Sequence, residues 1–173
     1  MSCTMYLVRH GIAVLASADT HDSDRALTAE GTRKMTHVAM GLQRLGIVPD
    51  VILSSPLRRA QETASVLAST LGPDLTVEIY QPLAPGTAPA ELLRGLRPYR
   101  TVQHLMLVGH QPDLGELASH LLTGSPGLVP LPFKKGAVAA IEVATLPPRA
   151  SGVLRWFLTP KQLRAVGESG RRR

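Results

Sequence analysis

The chain has 173 residues, 44% of them apolar and 18% charged, which is length for one folded unit with a substantial core. Aromatic residues make up 3%, too few for the stacked rings on which single-stranded nucleic acid is held. The net charge of +6 favours acidic partners, but part of it lies in Arg171-Arg172-Arg173, and the remainder reads as a mildly basic surface rather than a nucleic-acid footprint.

Cys3 is the sole cysteine, which excludes an internal disulfide and a thiolate metal cluster. No apolar run approaches the ~20 residues that span a bilayer. The first residues lack a cationic stretch followed by an apolar core and cleavage site. The expectation is a cytoplasmic protein that binds neither membrane nor nucleic acid.

Thr4 to Val8 reads as a short buried strand,. It runs into Arg9-His10-Gly11 and then a long polar connection to Ala26 that gathers Asp19, His21, Asp22, Asp24 and Arg25. Loops of that length in a compact domain tend to be functional. Thr28 is placed to cap a helix with Glu30 in its first turn. Met35, Val38, Ala39, Leu42 and Leu45 form its inward face, and Gly46 ends it,.

Val51-Ile52-Leu53 is a second short strand, followed at once by Ser54-Ser55-Pro56. Ser55 as cap and Pro56 at the first helical position predict a helix to about Leu71. It stops at Gly72-Pro73, and Leu75 to Tyr80 alternates as a third strand. After the Pro/Gly loop Gln81 to Thr87, Pro89 opens a helix over Ala90 to Leu96.

His104 to Val108 is a continuous apolar strand ending in Gly109-His110, and Pro112-Asp113 start a further helix. A second Pro/Gly loop, Gly124 to Pro132, precedes two strands, Ala137 to Val143 and Gly152 to Leu158, read as a hairpin. Alternation of strand and helix implies an α/β three-layer sandwich, a mainly parallel sheet with helices on both faces. An antiparallel pair at one edge is compatible with it. Residues 1–160 read as a single domain and 161–173 as a basic tail, partly disordered.

Ligands of such sheets bind beyond the carboxyl ends of the strands. Three strands end there in polar residues: Arg9-His10-Gly11, Ser54-Ser55, and Gly109-His110. A neutral imidazole at His10 can attack phosphorus in line, and Gly11 leaves room for the phosphate beside the backbone. Arg9 and Arg59 offer permanently charged planar forks for phosphate oxygens. His110 can donate to oxygens that gain charge in the transition state. His37, His120, His104 and His21 read as surface or packed histidines, and none has ligand spacing to a second one. Lys134-Lys135 read as a solvated turn or a rim contact for an acidic partner, and Arg94, Arg97 and Arg100 as solvated charge.

The sequence resembles the histidine phosphatase superfamily through Arg9-His10-Gly11, and more narrowly the small SixA-type phosphohistidine phosphatases. Four further stretches carry the resemblance: Asp24 to Gly31, Ser54 to Ala64, Pro82 to Gly86, and Leu107 to Pro112. It covers the chain from the first strand to about Leu158 and implies a phosphoglycerate mutase-like fold. It implies His10 as the nucleophile that becomes phosphorylated, Arg9, Arg59 and His110 as the rest of the phosphate pocket, and no metal or cofactor. Many larger relatives have a general-acid Glu after the third strand and insertions over the pocket. Here Pro82-Leu83-Ala84-Pro85-Gly86 offers no carboxylate, and the best local acid is Asp22. Gly11, Ser55, Asp22 and Arg25 are the candidate substrate contacts.

A phosphorus–nitrogen bond breaks readily once its nitrogen is protonated, so a weak or absent acid favours phosphohistidine on a protein as substrate. A small phosphomonoester, such as a sugar or nucleotide phosphate, is the alternative. A non-catalytic phosphate-binding module is a third reading, disfavoured by the full set His10, Arg9, Arg59 and His110. A mutase would need a closed pocket.

Overall fold

The structure, a computed structural model, describes residues 2–16, 18, 21–72 and 74–168. Asp19, Pro73 and the three terminal arginines singled out above lie outside the described residues.

Among the described residues six strands form one sheet: β1 (Cys3–Arg9), β2 (Val51–Ser54), β3 (Val77–Ile79), β4 (His104–Gly109), β5 (Val138–Val143) and β6 (Val153–Leu158). Their order is β3-β2-β4-β1-β5-β6. The first four in that order run parallel, and β5 and β6 run antiparallel at one edge. The α-helices are α1 (Ala29–Arg44), α2 (Arg58–Leu71), α3 (Pro89–Arg94), α4 (Asp113–Thr123) and α5 (Pro160–Glu168).

The central strands are apolar at nearly every position because both faces are covered. Met5 and Leu7 of β1, with Leu105 and Leu107 of β4, pack against α3 and α4. Tyr6 and Val8, with Met106 and Val108, pack against α1, α2 and α5. Period-two alternation thus divides each strand between two cores rather than between core and water. The α/β three-layer sandwich expected from the sequence is the architecture found.

Thr28 caps α1 by accepting from Gly31 N at 2.9 Å. Several boundaries differ from the sequence reading. Leu45 lies past the end of α1, where the regular spacing of about 3.6 residues per turn stops, and is exposed. The third strand is limited to three residues, all of which pair with β2 at the sheet edge. α2 begins at Arg58 with Leu57 at the cap position, so Ser55 and Pro56 lie before it rather than opening it.

The stretch from 161 read as a tail is not one through Glu168: α5 docks along α1. Leu163 is fully buried, and two glycines permit the approach. A Cβ on Gly41 would fall on the Leu163 carbonyl, and one on Gly167 would lie 2.6 Å from the His37 carbonyl. Among the described residues no helix is long and apolar enough to cross a membrane.

Candidate active site

β4 enters the sheet between β2 and β1, with Arg9 level with Gly109 and Ser54 level with Val108. The chain continues from these strand ends into Ser55, His110 and His10, three neighbours at the carboxyl edge. Backbone bonds hold this corner: His10 N donates to Gly109 O at 3.1 Å and Ser55 N to Val108 O at 3.0 Å. The chain direction across the sheet reverses where β4 is inserted, which is where ligands of open parallel sheets sit.

His10 is 6% exposed and His110 4%, with ring centroids 5.1 Å apart. His10 Nδ1 lies 2.7 Å from Gly11 O, an oxygen that only accepts. The proton is therefore on Nδ1, and Nε2 carries the lone pair. Burial pushes the His10 pKa down to about 3, against the Gly11 bond and with help from His110, Arg59 and Arg9. His110 is pushed down to about 4, first by burial and then by Arg59 and Arg9, with Asp22 opposing. Both rings are neutral at pH 7.

His110 Nε2 lies 2.7 Å from Ser55 Oγ, which also accepts from Leu57 N at 3.3 Å. The capping role read from sequence is thus confined to one long bond before α2, and Ser55 chiefly orients His110. His110 Nδ1 is buried without a partner among the described residues.

Arg59 is in the first turn of α2 and 6% exposed. Its Nη1 donates to Asp22 O at 2.6 Å and its Nη2 to Asp22 Oδ2 at 2.9 Å. Two of the five N–H donors of a guanidinium are used this way, which leaves three for an anion. Asp22 also pairs with Arg25 at 2.7 Å, and Arg25 Nε holds Val14 O. Bonds to Arg25 and then Arg59 lower the Asp22 pKa. At neutral pH Asp22 is a carboxylate that positions Arg59, which counts against the proton-donor role read for it from sequence. Across the pocket, Asp113 Oδ1 accepts from Gly86 N at 3.0 Å.

Arg9 donates from Nη1 to Phe133 O at 2.6 Å, while its Nε is buried without a partner among the described residues. Arg58 is exposed and paired with Glu62, turned away from the pocket as its place on the helix requires. Glu62 Oε2 also accepts from Leu27 N at 2.6 Å and pins the polar loop to α2.

Thr63 is a residue that the sequence reading passes over. Fully buried, it accepts from Gly11 N at 3.0 Å through Oγ1 and donates to Arg59 O at 2.7 Å. Its place one helical turn after Arg59 was the available signal, since positions four apart share a face. Among the described residues no group of three His, Cys, Asp or Glu side chains is arranged to hold a metal ion. Cys3 is buried, with a thiol pushed up to about 11 by desolvation, and is inert to chemistry that needs a thiolate.

Comparison with known proteins places the chain by its sequence and its fold. The model of the histidine phosphatase superfamily, branch 1, matches residues 5–84. An uncharacterized protein of Picosynechococcus sp. is 41% identical over 126 residues, 71% of this chain and 75% of the relative. The phosphohistidine phosphatase SixA of Escherichia coli strain K12 is 27% identical over 164 residues, 92% of this chain and 96% of SixA. The solved structure of the protein histidine phosphatase SixA complexed with tungstate superposes with a TM-score of 0.80 at 25% identity. That match covers 92% of this chain and 99% of the other. The chain therefore belongs to the histidine phosphatase superfamily, on the likeness of its sequence and of its fold.

Proposed function

We propose that the protein removes the phosphoryl group from phosphohistidine on another protein, through a covalent intermediate on His10. The observation that carries this reading is the state of the His10 ring: neutral, its Nδ1–H held by Gly11 O, its Nε2 lone pair unshared. Such a nitrogen needs no base before it attacks.

In the first step, Nε2 of His10 forms a bond to phosphorus while the phosphorus–nitrogen bond of the substrate breaks. The substrate ring reacts in the form protonated on its other nitrogen, so the leaving imidazole takes the electron pair of the broken bond and departs neutral with that proton. Phosphorylated His10 becomes cationic, and the Gly11 carbonyl stabilises the charge on Nδ1–H. Arg9 and the free donors of Arg59 hold the three equatorial oxygens, and His110 donates to one of them through a ring N–H. In the second step, water attacks phosphorus, the bond to Nε2 breaks, and inorganic phosphate leaves with the water proton passed to solvent or phosphate.

The ionised state of Asp22 supports this substrate over a phosphomonoester. An alkoxide leaving group needs a proton donor, and the carboxylate bonded within the cluster is not one. The likeness to SixA over nearly the whole chain supports the same choice.

Acid-quenched labelling with a phosphoryl donor tests the mechanism. The expected result is an acid-labile phosphate on the wild type that is absent from His10→Ala. Turnover of a histidine-phosphorylated protein, set against a panel of sugar and nucleotide phosphates, tests the substrate. A wide preference for any ester would overturn it.

A further inference from the structure

Beside Arg9, on the α1 side, lies a groove of about 510 Å³ between α1, the turn before β5, and α5. Five cationic residues line it, Arg9, Lys34, Lys134, Lys135 and Arg164, and among the described residues no carboxylate does. One of the five has an anionic partner: Lys34 Nζ lies 2.6 Å from Glu30 Oε1. Arg9 and Arg164 use donors on the carbonyls of Phe133 and Pro160. Lys134 and Lys135 are exposed and make no side-chain bond or ion pair with the described residues.

The turn that carries these lysines is fixed to the site. Phe133 is buried in the core and receives the Arg9 side chain. Gly136 N donates to Arg9 O at 3.0 Å, and Arg9 N donates to Ala137 O at 3.1 Å. The same backbone stretch therefore presents His10 on one side and the lysines on the other. Glu30 offsets part of the charge at Lys34 and Arg164; the remaining like charges around one concavity repel one another, and an anion in the groove would relieve that. Ile12 and Pro160 add partly exposed apolar surface to the lining.

We propose that this groove docks an acidic segment of the phosphorylated protein, bearing an apolar side chain, while its phosphohistidine enters the pocket across Arg9. The inference rests on the substrate reading above and names the partner's chemistry. A small ester is held entirely by Arg9, Arg59, His10 and His110 and has no use for cations spread over a volume typical of a whole ligand site. A chain segment does. Exposed charges of this kind act mainly on encounter and ground-state binding.

The test pairs two measurements on wild type and Lys134→Glu/Lys135→Glu, with the Gln pair as a milder variant and thermal unfolding as a folding control. The first is fluorescence anisotropy of a short fluorescein-labelled Glu/Leu peptide. The second is steady-state turnover of an acidic histidine-phosphorylated protein against p-nitrophenyl phosphate. The expected result is salt-sensitive peptide binding weakened about tenfold by charge reversal, with KM for the phosphoprotein raised by about the same factor. The kcat for the phosphoprotein and the turnover of the small ester stay at wild-type values.

Equal peptide binding by wild type and variant, or none by either, overturns the groove. A parallel loss on the small ester also overturns it, by making the lysines part of the phosphate pocket. If wild type leaves phosphohistidine untouched yet loses peptide binding on charge reversal, the acidic-segment site stands and the substrate reading falls.

Discussion

Replacing Thr63 by Val removes one oxygen and keeps the shape. The structure assigns that oxygen two bonds, to Gly11 N at 3.0 Å and to Arg59 O at 2.7 Å, in a fully buried place. The carbonyl of Arg59 keeps its helical partner, so the damage falls on the Gly11 N–H, left without an acceptor. An unsatisfied buried donor costs about 1–3 kcal/mol. For a chain of this length each kcal/mol moves Tm by about 2–4 °C, so a fall of about 2–12 °C is expected.

The functional effect is carried by the next atom along. Gly11 O holds the His10 ring, while the Gly11 N–H shares its peptide plane with the His10 carbonyl, so a tilt of that plane toward water changes the torsions at His10 and Gly11 and shifts the ring against its anchor. A misplacement near 1 Å at a reacting group costs about 100-fold, so kcat/KM should fall by between about 10- and 100-fold, chiefly in kcat. Thr63→Ser keeps the oxygen and should retain most of the activity. The assays are circular dichroism melting and turnover of p-nitrophenyl phosphate. A Val variant with wild-type Tm and kcat, or a Ser variant as poor as Val, refutes the reasoning.

Stability should depend on pH through the same site's two rings. His10 and His110 are lowered to about 3 and about 4, while in the unfolded chain each titrates near its ordinary value of about 6.5. The unfolded state therefore binds more protons between those values. Stability is complete above about pH 6.5 and falls as pH drops toward 4, with a slope of up to about 2.7 kcal/mol per pH unit for two protons. Urea unfolding at several pH values checks this, and a curve flat from pH 7 to 4.5 contradicts it. Separately, Gly41→Ala should force α5 away from α1, because the new methyl meets the Leu163 carbonyl. We expect a loss of about 1–3 kcal/mol with small-ester kcat unchanged, since Gly41 lies near the end of α1 remote from the pocket; an unshifted Tm would show that α5 adds little.

The parallel core and the three polar strand ends were legible because both obey short-range rules. Buried strands give continuous apolar runs, and in an α/β sheet the residues just past their carboxyl ends face the ligand. Three features were not legible for one shared reason: each depends on a partner distant in sequence. Thr63 matters through Gly11, 52 residues away. α5 reads as a basic tail because its inward face is short and its fit needs Gly41 and Gly167 as a pair. Ser55 satisfies every local rule for a helix cap, yet its hydroxyl is at His110, 55 residues on. The ionised state of Asp22 likewise required seeing both arginines around it.

The insertion of β4 between β1 and β2 has a consequence for how the protein comes into being. Those two strands are synthesised early, yet they do not pair with each other: the ladder that joins them comes from residues about a hundred positions downstream of β1, with Thr4 level with His104. Until that strand arrives, β1 and β2 present open hydrophobic edges. Contacts of such separation fold slowly and leave sheets open to aggregation. His10, Ser55 and His110 become neighbours in the same event that closes the sheet. Appearance of activity during refolding should therefore coincide with burial of the last central edge, which makes turnover a direct clock for that step.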